Sequence, residues 1–525
     1  MKAARAQVPR PARAQVPRSA RRASGLAMRG LLAAGAAWVA WAGLAASPAR
    51  AETRPRYGGS VAAALLGAPA SLDPVAARSH AELSLAGLLF DGLYRLDEQG
   101  AVVPQLAAGA PVLDAARGVL VIPLRQATFH DGTPITAAAV VASLSRVQKS
   151  AMAFVLAGVT DLRAVDGALE VSGAVDPTTL ARRLALPQAG IVADQAPSAD
   201  RAVGSGPFML ASLRRRERVV QLTAFAAYHA GRPYLDEVVL HWFDTPDGEA
   251  RRFEIGASQI SLRGVTAFAG AEPKFRADTV EGPAAVLVFV GFGNGHPEIT
   301  GRREVRAALD LALARGGFST LGAGEQVVPT RSPVPPQAGG PALPAAARGG
   351  DVTAALARMG QAASASPPLL PATVAAARLE ILFDDSRPDD REVAERVVRA
   401  LDKIGLTATV VAQSAPALRA RVDRGACDLW IGQVSAPVHD AAVWQHLALA
   451  VGGGAAGRAR GHRPDAGNPA RRFELEQPIV PLYFRGLRAS YRTDVRGLAF
   501  DPSGQLGFAD LFLFGEPERS RRTSP

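Results

Sequence analysis

At 525 residues the chain is long enough for about three domains, and 48% hydrophobic with 20% charged residues is the balance of a folded globular protein rather than a disordered or collagen-like one. The formal charge of +11 gathers before residue 52, where Lys2 and eight arginines (Arg5, Arg10, Arg13, Arg18, Arg21, Arg22, Arg29, Arg50) stand without any Asp or Glu; with those nine set aside, the 59 basic residues fall to 50 against 48 acidic. A polyanion-binding body thereby loses its main support, so no nucleic-acid partner is expected, and the single cysteine, Cys427, rules out an intramolecular disulfide and a cysteine-only zinc site.

Residues 28–51 run from Met-Arg through a mostly apolar stretch to Ser47-Pro48-Ala49-Arg50-Ala51. A charged start, an apolar centre and an Ala-x-Ala end predict a secretory signal peptide cut between Ala51 and Glu52. The apolar run is short against the ~20 residues needed to span a bilayer, which weighs against the alternative of an uncleaved anchor. No cysteine adjoins the cut, so the expected product is not a lipoprotein. Residues 4–10 and 12–18 repeat one heptapeptide, consistent with a true start at Met28, and Arg21-Arg22 is a poor match to a twin-arginine signal.

Beyond the leader, residues 60–66 predict a buried strand ended by Gly67. Ser79 and Glu82 have capping-box spacing at the head of a helix carrying Leu83, Ala86, Leu89, Phe90 and Leu93. Residues 119–124 read as a strand, 129–134 as a tight loop, and Thr136 as the cap of a helix that turns Val140, Val141 and Leu144 inward. Strands are expected at 219–223, 238–243, 286–290, 379–383 and 406–411. A helix over 389–404, stopped by Gly405, joins the last two in a βαβ unit. Residues 332–371, dense in Pro, Ala and Gly, predict a long surface connection interrupted by a helix over 351–359.

Few residues carry a recognisable chemistry. Gly291-Phe-Gly293-Asn-Gly295 imitates a dinucleotide loop, but His296 and Pro297 stand where the fingerprint needs a small residue and a close helix. His439, Asp440 and His446 have too few convergent partners for a metal centre, so no metal or other cofactor is expected. Gly-x-Ser-x-Gly, His-Glu-x-x-His and phosphate-loop motifs are all missing, and no catalytic residue is assigned. Asp384-Asp385 and Asp389-Asp390 read as a turn and a helix start, and Cys427 as an inert buried thiol.

Several segments in order resemble the family 5 extracellular solute-binding proteins, the peptide- and nickel-type receptors of ABC importers. They are Tyr57-Gly58-Gly59-Ser60 through Leu72-Asp73-Pro74, Leu89-Phe90-Asp91-Gly92-Leu93-Tyr94, Phe129-His130-Asp131-Gly132-Thr133-Pro134, Gly204-Ser205-Gly206-Pro207-Phe208 and Gly231-Arg232-Pro233-Tyr234-Leu235-Asp236, then Val305-Arg306-Ala307-Ala308-Leu309, Cys427-Asp428-Leu429-Trp430 and Pro478-Ile479-Val480-Pro481-Leu482-Tyr483. The resemblance implies an α/β, two-lobed periplasmic-binding-protein-like fold of class II type with an extra subdomain in the first lobe. Its parts would be a leader and signal peptide at 1–51, a first lobe at 52–291 with an inserted subdomain at about 90–200, a second lobe at 292–487 and a C-terminal return at 488–525.

What the resemblance implies of function is a periplasmic, monomeric receptor, not an enzyme, that closes on a peptide or peptide-like solute and delivers it to ABC permease subunits. A non-peptide solute such as an oligosaccharide, opine or metal complex stays open, as does an exported protein of another activity. Gln433, Ser435 and Asp440 would line the pocket from the second lobe, with Tyr483 approaching from the returning segment. Leu72 and Asp73 would form the first-lobe edge, or an ordinary Asp-Pro turn, while Trp430 is expected in the core. The chain departs from peptide-binding members where Gln433 follows Gly432 and where Ala436 replaces the Asp that pairs with a peptide's α-ammonium; Asp440 is the nearest acid. Ala139 also replaces an acidic residue, and residues 451–472 are unusually rich in Gly and Arg.

Overall fold

The computed structural model describes residues 55–514 except 194–196, 199, 244–245, 263–273, 275, 322–326, 388 and 453–467. The predicted signal peptide, with Ala51 and Glu52, lies outside the described residues, as does most of the Gly/Arg-rich stretch.

The chain opens with β1 (Ser60–Ala64) and the helix His80–Leu89, then the hairpin β2 (Tyr94–Leu96) and β3 (Val102–Pro104). Four strands follow, β4 (Val112–Asp114), β5 (Val119–Pro123), β6 (Val159–Val165) and β7 (Ala168–Gly173), and form one antiparallel sheet in the order β4-β5-β7-β6. Residues along β5 alternate between buried and half-buried, the pattern of a sheet with one covered face. The helix Ala137–Gln148 supplies that cover through Val140, Leu144 and Val147, and Thr136 caps it by accepting from Ala139 N at 3.2 Å.

Next come β8 (Phe208–Arg214), β9 (Val219–Ala224), β10 (Glu237–His241), β11 (Ile260–Ser261) and β12 (Ala277–Glu281). The second half contributes β13 (Val286–Phe292), β14 (Val327–Pro329), β15 (Leu379–Asp384), β16 (Ala408–Gln413), β17 (Leu429–Ser435) and β18 (Ile479–Arg485), and the chain ends with β19 (Arg488–Arg492), β20 (Val495–Arg496) and β21 (Phe512–Leu513). Two large sheets result. One has the order β12-β19-β11-β1-β10-β9-β8, with β1 parallel to both β10 and β11; the other runs β14-β18-β13-β17-β15-β16. The chain passes between them at two adjacent places, where Gly282 N donates to Leu487 O at 2.7 Å. The six-stranded sheet begins at Val286, ahead of residue 291.

In the six-stranded sheet β13, β17 and β18 are buried at every residue, as expected of strands covered on both faces. The βαβ unit forms in the expected order: β15 pairs in parallel with β16, and the helix Asp390–Asp402 turns Val393, Val397 and Leu401 inward between them. Gly405 follows it at φ +82°, a left-handed conformation that glycine adopts without strain, and Leu406 N donates to Leu401 O at 3.0 Å. The region 332–371 differs from a plain surface connection. Its helix, Val352–Ala363, is capped by Asp351 and packs against the helix Arg303–Ala312 with Ala355 and Ala362 fully buried.

The glycines after β13 serve packing. A Cβ on Gly293 would stand 2.2 Å from Cys427 O, and one on Gly295 2.2 Å from Asp428 Oδ1, so the chain can cross the start of β17 here because side chains are lacking.

Candidate functional site

In open α/β sheets the carboxyl ends of parallel strands leave a crevice, because the chain turns away to opposite faces there. Both large sheets place such ends at one cleft. From the seven-stranded sheet come Ala68 and Ala70, just beyond β1, and Arg78, Ser79 and Glu82 at the head of the helix His80–Leu89. From the six-stranded sheet come Asp384 and Arg387 at the end of β15, Leu418 and Arg419 on the helix Ala415–Arg424, and Trp430, Gly432 and Gln433 on β17. The cleft, counted together with the solvent space open to it, holds about 510 Å³.

Its floor is polar and buried. Asp384 Oδ1 accepts from Ser386 N at 3.0 Å and Ser386 Oγ at 2.6 Å. Arg387 lies between two carboxylates, with Nε 3.3 Å from Asp384 Oδ2 and Nη2 2.8 Å from Asp390 Oδ2. Burial pushes the Asp390 carboxyl up to about 7 against the pull of Arg387, and the nearby Asp384 and Asp389 add to the rise. Gln433 Nε2 donates to Asp390 Oδ1 at 3.4 Å, while Gln433 Oε1 and Ser435 Oγ are buried with no hydrogen-bond partner among the described residues. Each such unfilled group costs about 1–3 kcal/mol, and of the two residues Gln433 lines the cleft, where a polar ligand can remove that cost.

Contacts cross the cleft at its mouth. Ala68 N donates to Ser386 Oγ at 2.9 Å, and Arg419 Nη2 donates to Ala76 O. Arg419 Nη1 stands 3.8 Å from Glu82 Oε2, and Arg78 Nη1 stands 3.6 Å from Asp423 Oδ1. Ser79 accepts from Glu82 N at 3.3 Å while Glu82 Oε2 accepts from Ser79 N at 3.0 Å, the reciprocal capping box its spacing predicts.

A second cavity, about 550 Å³, lies between the β2–β3 hairpin and the head of the helix Ala441–Gly452, lined by Gln99, Arg182, His439 and Asp440 among others. Asp440 Oδ1 accepts from Val443 N at 3.1 Å and so caps that helix.

The sequence-derived candidates separate. Gln433 lines the first cavity and Asp440 the second; Leu72, Asp73, Ser435 and Tyr483 line neither. Leu72 is packed in the core of the seven-stranded sheet. Asp73 accepts from Val75 N at 3.2 Å, the ordinary Asp-Pro turn, and pairs with Arg146 at 2.5 Å. Tyr483 is buried on β18 with its ring centroid 5.4 Å from that of Phe318, inside the core rather than at the cleft. Trp430 packs edge-on against Phe289, as a core residue does, and also forms part of the cleft wall. His446 stacks on Phe154 while His439 lines the second cavity, and among the described residues no group of three or more His, Cys, Asp or Glu is placed to hold a metal. Burial pushes the Cys427 thiol up to about 11.

Sequence reasoning missed Arg78, Arg387 and Arg419 as wall residues. For Arg387 a signal existed, since polar residues just beyond the first strand of a βαβ unit fall at its carboxyl end. Arg78 and Arg419 had none, because their meeting depends on the pairing of distant segments.

Comparison with known proteins follows the same architecture. Residues 101–453 match the profile described as "Bacterial extracellular solute-binding proteins, family 5 Middle". The oligopeptide-binding protein AppA of Bacillus subtilis is 26% identical over 289 residues, 51% of this chain and 52% of that protein, so the matched region spans about half the length of the curated relative. Among solved structures, AppA of Bacillus subtilis in complex with a nonapeptide superposes with a TM-score of 0.70 at 17% identity, covering 88% of this chain and 100% of that one. AgaA from A. tumefacien R10 in complex with agropinic acid gives 0.67 at 20% identity, covering 87% and 99%. NikA from Staphylococcus aureus in complex with Ni(L-His)2 gives 0.67 at 16% identity, covering 86% and 99%. At these identities the likeness shows the fold, which is the two-lobed α/β architecture of periplasmic binding proteins.

Proposed function

Because the chain belongs to the bacterial extracellular solute-binding proteins of family 5, we propose that it binds a peptide or peptide-like solute between its lobes and delivers it, chemically unchanged, to the permease of an ABC importer. The observation that carries this reading is the edge of β17. β15 accompanies β17 only through Leu429 and Trp430, so the stretch 431–435 has no strand paired on that side. That stretch borders the cleft at Gly432 and Gln433, beside the unfilled Gln433 Oε1 and Ser435 Oγ. An extended peptide pairs with such an edge as an added strand, its main chain supplying affinity and side pockets supplying choice.

In this reading the first lobe runs from residue 52 to the crossing near 282–291, with an inserted subdomain at about 90–200. The second lobe continues to about 487, and residues 488–525 return to the first. Ligand contacts from both lobes favour the closed state by their differential affinity, and the crossing segments act as the hinge. The protein is exported, cut after Ala51 and acts as a periplasmic monomer without a lipid anchor. No helix among the described residues is long and apolar enough to cross a membrane.

A second reading, a non-peptide solute such as an opine, oligosaccharide or metal complex, is favoured by Ala436. This residue is buried at the end of β17, where a carboxylate would be needed to pair with a peptide's α-ammonium. Thermal unfolding of the purified protein with and without pooled di- to hexapeptides separates the two readings. A peptide at ~100 times its dissociation constant adds about 2.7 kcal/mol and raises the midpoint by a few degrees. No shift in folded, ligand-free protein overturns the peptide reading in favour of the second.

A further inference from the structure

The two cavities differ in what their charged side chains do. Around the first, every arginine is engaged: Arg78 with Asp423, Arg387 with Asp384 and Asp390, and Arg419 with Ala76 O, Glu82 and Asp423. The second, between the β2–β3 hairpin and the head of the helix Ala441–Gly452, has a buried apolar floor of Leu186, Pro437, Val443 and Pro502. Its wall carries one residue of each charge, Arg182 and Asp440, beside Gln99 and His439. Arg182 stands in the last turn of the helix Pro177–Arg183, and its guanidinium has no hydrogen-bond or ion-pair partner among the described residues. Asp440 Oδ1 caps its helix through Val443 N at 3.1 Å, which leaves Oδ2 without a partner among the described residues. The neighbouring Arg183 acts on Asp440 through space alone, because its own Nη1 is held by Ala157 O at 3.1 Å.

An apolar floor with a few polar groups on the wall is the usual build of a small-molecule site. Here the polar groups include a guanidinium fork, which suits a carboxylate, and a carboxylate oxygen, which suits an ammonium. A purely anionic ligand would meet Asp440 and a purely cationic one Arg182, so each is penalised by one wall charge. We propose that this cavity is a second binding site, separate from the solute cleft, for a free apolar amino acid. Its carboxylate lies on Arg182, its ammonium on Asp440 Oδ2 and its side chain on the floor. In a free amino acid all three groups leave one carbon, whereas each residue added in a peptide moves the two charges apart by up to about 3.6 Å. The site does not depend on what the cleft binds. Its walls come from segments distant in the chain, so the ligand ties the hairpin and the helix Pro177–Arg183 to the segment that follows β17.

The test is calorimetric titration of the wild-type protein and of Arg182→Gln and Asp440→Asn with four probes: L-leucine, L-leucinamide, N-acetyl-L-leucine and Leu-Gly-Gly. Circular dichroism confirms that each variant is folded; Arg182 is exposed, and Asn keeps the helix cap. Wild type is expected to bind leucine with a dissociation constant of about 1 mM or tighter, and each of the other three probes at least about tenfold more weakly. Arg182→Gln should weaken leucine about tenfold and bring leucinamide to within about threefold of it, and Asp440→Asn should do the same for leucine and N-acetyl-leucine. No saturable binding of leucine overturns the site. Leucine affinity unchanged in either variant overturns it too. Leucinamide, N-acetyl-leucine or Leu-Gly-Gly binding wild type as tightly as leucine overturns the assignment to a free amino acid. The peptide reading of the cleft stands or falls separately, on the thermal unfolding with pooled peptides.

Discussion

His80 Nε2 donates to the carbonyl oxygen of Gly504 at 2.8 Å, tying the first turn of the first helix to the C-terminal segment. The ring is 1% exposed, and its Nδ1 has no hydrogen-bond partner among the described residues. Burial lowers its pKa from 6.5 to about 4, with Arg485 adding to the fall and the Gly504 bond opposing it. The folded state therefore favours the neutral ring. The stability this provides is fully present above pH 6.5 and is lost as pH falls through about 4, to a limit of about 3 kcal/mol. Urea midpoints measured from pH 7.5 to 4 are expected to fall less steeply in His80→Gln than in wild type. The difference between the two curves isolates His80 from His241, which burial beside Arg252 also lowers to about 4.

Gly293→Ala is expected to destabilise the protein by about 1–3 kcal/mol, because the new Cβ collides with backbone that cannot move without displacing β17. Gly360, within the helix Val352–Ala363, is the control, since a Cβ there meets nothing within 4 Å. Gly360→Ala should stabilise by up to about 1 kcal/mol. Denaturant unfolding of the two variants beside wild type checks both signs.

Gln433→Met replaces a polar group having one unfilled oxygen with a flexible apolar chain of similar length. Its stability should fall by about 1–3 kcal/mol, since removing the unfilled oxygen is outweighed by the loss of the Gln433 Nε2 bond to buried Asp390 Oδ1. Solute affinity should fall about 10- to 100-fold if Gln433 Oε1 receives a ligand hydrogen bond. A titration and a melting curve on the same sample read the two effects separately.

Asp440→Ala removes a helix cap and a charge together, whereas Asp440→Asn removes the charge and keeps a good cap. The Ala variant should lose about 1 kcal/mol of stability and the Asn variant much less. Both should weaken a solute that places a cation in the second cavity. Unchanged affinity for a Lys-containing peptide in Asp440→Asn would take Asp440 out of the site.

Features that depend on near neighbours were legible in the sequence. The Ser79–Glu82 capping box, Thr136 as a cap, Gly405 as a helix stop and the parallel β15–β16 unit each follow from residues within a few turns of one another. The six-stranded sheet was legible in part: β13 falls where a strand was expected at 286–290, whereas β17 and β18, buried on both faces, show no alternation and were not read as strands. Pro481, which argues against a central strand, is accommodated by a register shift opposite Val288 and Phe289. Of the cleft, Gln433 was visible through its place after β17's glycine. Arg78 and Arg419 were not, since segments far apart in the chain must pair before those side chains meet. Tyr483 illustrates the period-2 hazard: on a fully buried strand, position alone does not say which face a ring takes.

β19 lies between β11 and β12 in the seven-stranded sheet, with Tyr491 opposite both Ile260 and Asp278. The two earlier strands do not pair with each other, so their shared gap is filled by residues made more than two hundred positions later. During synthesis the N-terminal sheet therefore waits, with open edges, until the second sheet has been made and the chain has returned. A nascent chain halted before Arg488 would carry a nearly complete second sheet beside an unfinished first one. Its unpaired edges would be sites for misassembly or proteolysis.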